Sequence, residues 1–213
     1  MTIEKHFTDL QTPQYFKYVG CKVNSFKVGI KSEGFIDCTV NLMGAKEIVG
    51  ASAMDGAPVD LGHTPFDGFG CTIQEGGVTL GVATTFDFTM ENGLDGNTYV
   101  IDGTGERYSM PEGVVKVTGT VTALFDSMAL YTKALNNTET SLVITLTNGT
   151  GAGSAGNEQL VFTLPEVIFK PQAPVVGGPT GVLVELPFEC YYNDDVNATT
   201  IMAVLTSPTG YYG

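Results

Sequence analysis

One stretch, from Thr85 to Tyr131, constrains the fold more than any other part of the chain. Its first run, TFDFTMEN, puts Phe86, Phe88 and Met90 on one side and Asp87, Thr89 and Glu91 on the other. After the linker GLDGNTYVIDGTGERYSMPEG comes the run VVKVTGTVTALF. It sends Val115, Val117, Val121 and Phe125 one way and Lys116, Thr118, Thr120 and Thr122 the other. Side chains of a strand alternate between faces, so this period-two spacing of β-branched and aromatic residues reads as two half-buried strands. Asp126 then offers a cap for a short helix over 126–136, with Met128, Tyr131 and Leu135 at i, i+3 and i+7 as its packing face. The middle of the chain reads as a long-armed β-hairpin with one amphipathic helix behind it.

The remaining segments repeat the strand signal. VNSFKVGIK alternates with Phe26, Val28 and Ile30 on one face, and FIDCTVNLMG follows a turn with Ile36, Cys38, Val40 and Leu42 expected inward. Further on, TSLVITLTN and QLVFTLPEVIFK flank the turn GTGAGSAGNE. The loop PQAPVVGGPT then leads to GVLVELPFECYY, with Val182, Val184, Leu186, Phe188 and Cys190 inward, and TTIMAVLT closes the series. Two stretches lack a period. Residues 1–21, interrupted by Pro13, read as an arm that orders against a neighbour. Residues 44–81 read as a long loop, richer in apolar residues than solvation requires, which orders on another surface. For Ile48–Ala51 and Val78–Val82 the alternative of short strands stays open. With no linker in sight, residues 1–213 read as one domain.

Composition narrows the function. Apolar residues make up 43% of 213, enough for a core, but no apolar run is long enough for a membrane span and the N-terminus lacks the apolar region of a signal peptide. Synthesis in a cytoplasm is therefore expected. The 23 acidic residues outweigh 10 basic ones, of which Arg107 is the only arginine, for a net charge of −13. Gripping nucleic acid requires cations that displace the phosphate counterions, so this chain would repel a polyanion. Cys21, Cys38, Cys71 and Cys190 have no metal-ligand spacing and read as buried, reduced thiols.

The chemical motifs do not hold together. Gly151-Ala-Gly153-Ser-Ala-Gly156 matches a dinucleotide-binding pattern, but a strand follows it where a helix N-terminus is needed. In the acidic run Asp95 to Glu106, Tyr99 stands where a calcium loop needs an oxygen ligand. His6 and His63 are the only histidines, no serine sits in a nucleophile elbow, and tryptophan is absent. No catalytic, cofactor-binding or metal residues are assigned, and no enzyme is expected.

The order of motifs in the central stretch resembles the tail tube proteins of long, non-contractile-tailed bacteriophages. The likeness rests on Asn92-Gly93-Leu94, Met110-Pro111-Glu112-Gly113, Val117-Thr118-Gly119-Thr120, Phe125-Asp126, Tyr131 and Leu142-Val143-Ile144-Thr145-Leu146. LVFTLPEVIFK, GVLVELPFECYYND and VNSFKVGI resemble the family's closing and opening strands. The resemblance covers roughly residues 23–44 and 84–195. It implies a β-sandwich or β-barrel with a flanking helix, and a long hairpin that contributes to an inter-subunit barrel. It also implies hexameric rings stacked into a hollow tube around a tape-measure protein. Growth would start from a tail-tip complex and stop at a tail terminator, with double-stranded DNA leaving through the lumen. Related virion β-proteins, such as a terminator, a decoration protein or a contractile-tail tube, and a surface adhesin or pilin are the alternatives.

Within that frame, the polar faces of the central arms are the expected lumen lining: Asp87, Thr89 and Glu91 on one, Lys116, Thr118, Thr120 and Thr122 on the other; the alternative is that the arms are inner-core strands and another hairpin forms the lumen. An acidic wall would let DNA slide without adhesion. Gly56, His63, Phe66, Phe69 and Gly70 in the long loop are the expected contacts between rings.

Overall fold

The computed structural model describes residues 1–60, 62–101, 103–174, 181–194 and 198–208. Residues 175–180 of the Pro-Gly loop, and Asp102 within the acidic run Asp95 to Glu106, lie outside them. The fold is mainly β, with a large antiparallel sheet and one short helix, consistent with a β-sandwich. Packing gathers the chain into two compact units built from interleaved segments. The first comprises Met1–Phe26, Val40–Gly62 and Glu91–Val115, and the second Lys27–Thr39, His63–Met90 and Lys116–Gly213.

In the first unit, the expected arm is a hairpin. Strand β1 (Ile3–Phe7) pairs antiparallel with β2 (Gln14–Val19). Pro13 falls in the turn between them, where its missing N–H costs no ladder bond. Across the pair, His6 meets Tyr15 edge-on at 4.8 Å and Phe7 meets Phe16 at 5.2 Å. A later strand, Lys46–Gly50, completes a three-stranded sheet on β2. The arm is thus ordered by its own chain, and the start of the expected long loop is a strand.

The linker between the central arms also belongs to this unit, and it folds back on itself. Gly113 N–H donates to the Asn92 carbonyl (3.0 Å) and Asp95 N–H to the Pro111 carbonyl (3.0 Å). The Asn-Gly-Leu and Met-Pro-Glu-Gly motifs therefore close one base. Arg107 pins the rest: its Nη1 donates to the Gly44 carbonyl (2.6 Å), its Nε to Gly96 (2.8 Å), and its guanidinium lies 5.0 Å from the Tyr99 ring.

The large sheet contains ten strands. In chain order they are β3 (Lys22–Lys31), β4 (Asp37–Met43), then, with Lys46–Gly50 counted as β5, β6 (Cys71–Glu75), β7 (Val78–Thr79), β8 (Ala83–Glu91) and β9 (Lys116–Leu124), followed by β10 (Thr140–Thr147), β11 (Gln159–Phe169), β12 (Leu183–Tyr191) and β13 (Met202–Thr206). Their spatial order is β4-β3-β8-β9-β12-β11-β10-β6-β7, with β13 added on β11. Strand β11 is the corner. Its first half, Gln159–Thr163, pairs with β13, and its second, Glu166–Phe169, with β12. Pro165 sits at the changeover, and the register against β10 shifts between Thr140 and Leu142. A residue without an N–H and an adjacent bulge are what a strand needs to leave one layer and join another. Phe88 on β8 consequently meets Phe162 on β11 at 5.2 Å although two strands separate them in the sheet order.

The alternation expected of the central arms is realised within β8 and β9, but Val115, expected on the buried face, precedes β9 and is 40% exposed. Phe86, Phe88, Val117, Val121 and Ala123 are buried while Asp87, Thr89, Thr118, Thr120 and Thr122 are only half-buried. Phe86 stacks on Phe188 at 5.7 Å, and Phe188 meets Phe169 edge-on at 6.2 Å. Burying an aromatic ring this fully contributes about 2–3 kcal/mol of transfer free energy, which makes the cluster the energetic centre of the unit.

Three expectations are corrected. The first concerns β4, the end strand of the sheet, where Cys38 is exposed and Val40 is 43% and Leu42 39% accessible, so the face expected inward is open. The second is the helix, α1, which spans Ala129–Leu135 and starts later than expected, with no side-chain cap at Met128. The frame shift turns Leu130 and Ala134 inward and leaves Met128 and Leu135 each 53% exposed, with Tyr131 half-buried. Lys133 anchors α1 to Glu75 on β6 (2.5 Å), and Thr140 Oγ1 donates to the same carboxylate. The third is that neither central arm lends its edge to another copy. β8 lies between β3 and β9, and β9 between β8 and β12, so both are completed within the chain.

At Gly119 the two central arms approach each other closely. A Cβ there would run into the Asp87 carbonyl oxygen and lie 2.5 Å from Phe188 Cζ. Gly119→Ala is therefore expected to destabilise by about 1–3 kcal/mol. Gly56→Ala, with open space around it, should change stability by less than about 1 kcal/mol. Urea unfolding of the two variants checks both.

Candidate assembly surfaces

Three kinds of surface stand out: a polar sheet face, open strand edges and an apolar segment. The polar face is the reverse of the aromatic core. The alternation that buries Val117 and Val121 turns Thr118, Thr120 and Thr122 outward, in register with Glu189, Pro187 and Glu185 of β12. Lys170 Nζ holds Glu189 at 2.5 Å. That hydrogen bond from Lys170 lowers the Glu189 carboxyl below its ordinary range, against a desolvation cost, with the charges of Lys170 and Lys116 and a Tyr191 hydroxyl bond assisting. On β8, Asp87 lines an open depression with Lys27, Lys31, Asp37 and Thr85.

Of the residues expected to line a lumen, Asp87, Thr89, Thr118, Thr120 and Thr122 share this face and are half-buried, and Lys116 is exposed beside Glu189. Glu91 is exposed at the end of β8, within the first unit. The surface is threonine-rich and mixed in charge, not uniformly acidic: Lys27, Lys31, Lys116 and Lys170 share it with Asp87, Glu185 and Glu189. Sequence reasoning missed Lys27, Lys31, Glu185 and Glu189, although the alternation of KVGIK and of VLVELPFE already turned them outward.

The open edges lie elsewhere. β4 ends one side of the sheet, β7 the other, and β13 has β11 as its one strand partner among the described residues. All five residues of β13 are exposed. β7 is only two residues long.

The expected inter-ring loop divides between the units, with Gly56 in the first and His63, Phe66, Phe69 and Gly70 in the second. Near its end the segment is pinned. The Phe66 carbonyl accepts Ile36 N–H (3.1 Å), Gly68 N–H donates to Gly34 (2.9 Å), and Thr147 N–H donates to Gly70 (2.8 Å). A side chain at Gly70 would collide with the Thr147 carbonyl. Gly56 and His63 are exposed, Phe66 is half-buried, and Phe69 stands 79% exposed on this pinned support.

No group of three or more His, Cys, Asp or Glu side chains able to hold a metal occurs among the described residues. Nor, among them, is any helix long and apolar enough to cross a membrane. The Gly151–Gly156 stretch is the hairpin loop between β10 and β11.

The layered β-fold combines a polar sheet face with open strand edges on β4, β7 and β13 among the described residues. A family model described as phage tail tube protein matches residues 1–190, and the chain belongs to that family. It is a structural component of a phage tail tube. Comparison with curated proteins gave no match.

Glu158, at the foot of the β10–β11 loop, is buried, with Oε1 accepting Gly156 N–H at 3.0 Å. Backbone N–H bonds, its own and that of Gly156, hold its carboxyl below the ordinary range, with Asn148 and the charge of His63 assisting against desolvation. A carboxyl lowered by folding stabilises above its unfolded value and loses that contribution as pH falls through the folded one. Glu158→Gln should therefore lower the melting temperature at pH 7 and leave it nearly unchanged once the pH has fallen through the lowered folded value, as read by calorimetry across pH.

Proposed function

We propose that this chain is the major tail protein of a long, non-contractile phage tail. It forms hexameric rings that stack into a hollow tube and pass double-stranded DNA without specific binding. The observation that carries the reading is a fold of the tail tube family that stays incomplete in one copy. Among the described residues, β4 and β13 have no partner strand on their outer edges, and Phe69, Val78, Met128 and Leu135 are exposed. The tape-measure protein, tail-tip complex and terminator are its partners in this reading. The protein is made in the host cytoplasm and works in the virion.

The polar face of β9 and β12 is the lumen lining. On β9, β12 and the Lys170 beside them, Lys116 and Lys170 are matched in number by Glu185 and Glu189, so threonines and balanced charge give DNA little to hold, and duplex DNA carries about one negative charge per 1.7 Å. Asp87→Lys together with Glu185→Lys should slow genome ejection from assembled particles, more so at low salt. An unchanged ejection rate at low salt would remove this face from the lumen.

Phe69 is the contact between rings. Negative-stain microscopy of the purified protein at high concentration should show hollow filaments of constant width. Phe69→Ser should leave separate rings instead. Isolated rings from the wild type would favour a terminator, and filaments of normal length from Phe69→Ser would reassign the contact.

A further inference from the structure

Resting on that reading, we propose that lateral neighbours in a ring join by adding β13 of one copy to the open edge of β4 in the next. β13, Met202–Thr206, lies beyond residues 1–190 matched by the family. It attaches to the first half of β11 with the register Gln159↔Thr206 to Thr163↔Met202. Its sequence, MAVLT, carries no charge, proline or glycine, the devices by which chains ordinarily protect an edge. β4, DCTVNLM, has the same character, with Asp37 as its one charge and Cys38, Val40 and Leu42 exposed along it.

Three physical points select a second copy of this chain as the occupant. Among the described residues both edges are bare, so their partner must be present at every subunit, which a tip or terminator protein at the tube's ends is not. At −13 per chain, copies repel over a Debye length of about 8 Å, so contact is confined to stretches without acids. Two unlike edges on one chain make a heterologous interface, the kind that closes into a ring when its rotation permits. Length selects which edges pair. β13 spans 5 residues and β4 spans 7, whereas β7 offers 2.

The chain carries its own probe. Cys38 is exposed on β4, while Cys21 is buried and Cys71 and Cys190 are half-buried. Burial pushes the Cys71 thiol up to about 11 and that of Cys190 to about 12, so both stay protonated and slow to react. Residues 202–206 are replaced by cysteine one at a time in the full chain, and assembled protein is treated with copper-phenanthroline as oxidant. At least one position should give a ladder of covalent dimers and higher multimers on a non-reducing gel, abolished by adding Cys38→Ser. Val204→Lys, which places charge on the seam, should yield monomers with an unchanged melting temperature.

If wild-type filaments form and no position from 202 to 206 crosslinks to Cys38, the seam is wrong and the tube reading stands. A ladder from Val78→Cys alone would move the seam to β7 and overturn the proposal. Failure of the wild type to assemble at any concentration would sink both.

Discussion

The structure depends on a single packing constraint: the aromatic face of the central arms must find cover within the same chain. Phe86 and Phe88 on β8 supply half of it, and Phe162, Phe169 and Phe188 on β11 and β12 supply the other half. Those partners lie several strands away along the sheet, so the sheet has to turn over on itself. Pro165 and the neighbouring register shift provide the corner. Once the rings meet, β8 and β9 are locked between neighbours on both sides, and the hydrogen-bonding edges left over fall on β4, β7 and β13.

This ordering explains which features were legible in the sequence. Period-two alternation is a local property, and it correctly divided Phe86 and Phe88 from Asp87, and Val117 and Val121 from Thr118 and Thr120. It fails where a strand has no layer to face. β4 alternates as well as β3 does, yet Val28 is buried and Val40 is exposed. The difference lies in whether anything packs on the strand, a long-range fact that spacing cannot carry. The helix failed for another reason. Met128, Tyr131 and Leu135 form a plausible stripe, but so do Leu130 and Ala134, and only contact with β11 decides between them.

The assembly surfaces were harder to read than the core. The N-terminal residues read as an arm because Pro13 interrupts their pattern, yet it occupies the turn between β1 and β2. The stretch 44–81 looked uniform, yet its ends are strands β5, β6 and β7 and its later half is tied down through Phe66, Gly68 and Gly70. Glycine-rich composition signalled close backbone approach there as much as mobility. What it could not signal is that a pinned segment presents Phe69 to solvent.

Charge and edge pairing bear on each other. A chain this acidic resists its own association, and only stretches stripped of charge can bring copies together. The outer face of β9 and β12 meets the opposite requirement. There, lysines such as Lys170 are matched to carboxylates such as Glu189, and threonines fill the remaining positions. Pairing cations with acids on one face removes attraction for a polyanion without making that face purely repulsive. Leaving β4 and β13 nearly uncharged lets their backbones be approached. The same alternation that builds the core thus sorts the exterior into a face of threonines and matched charges and strand edges that stay nearly uncharged.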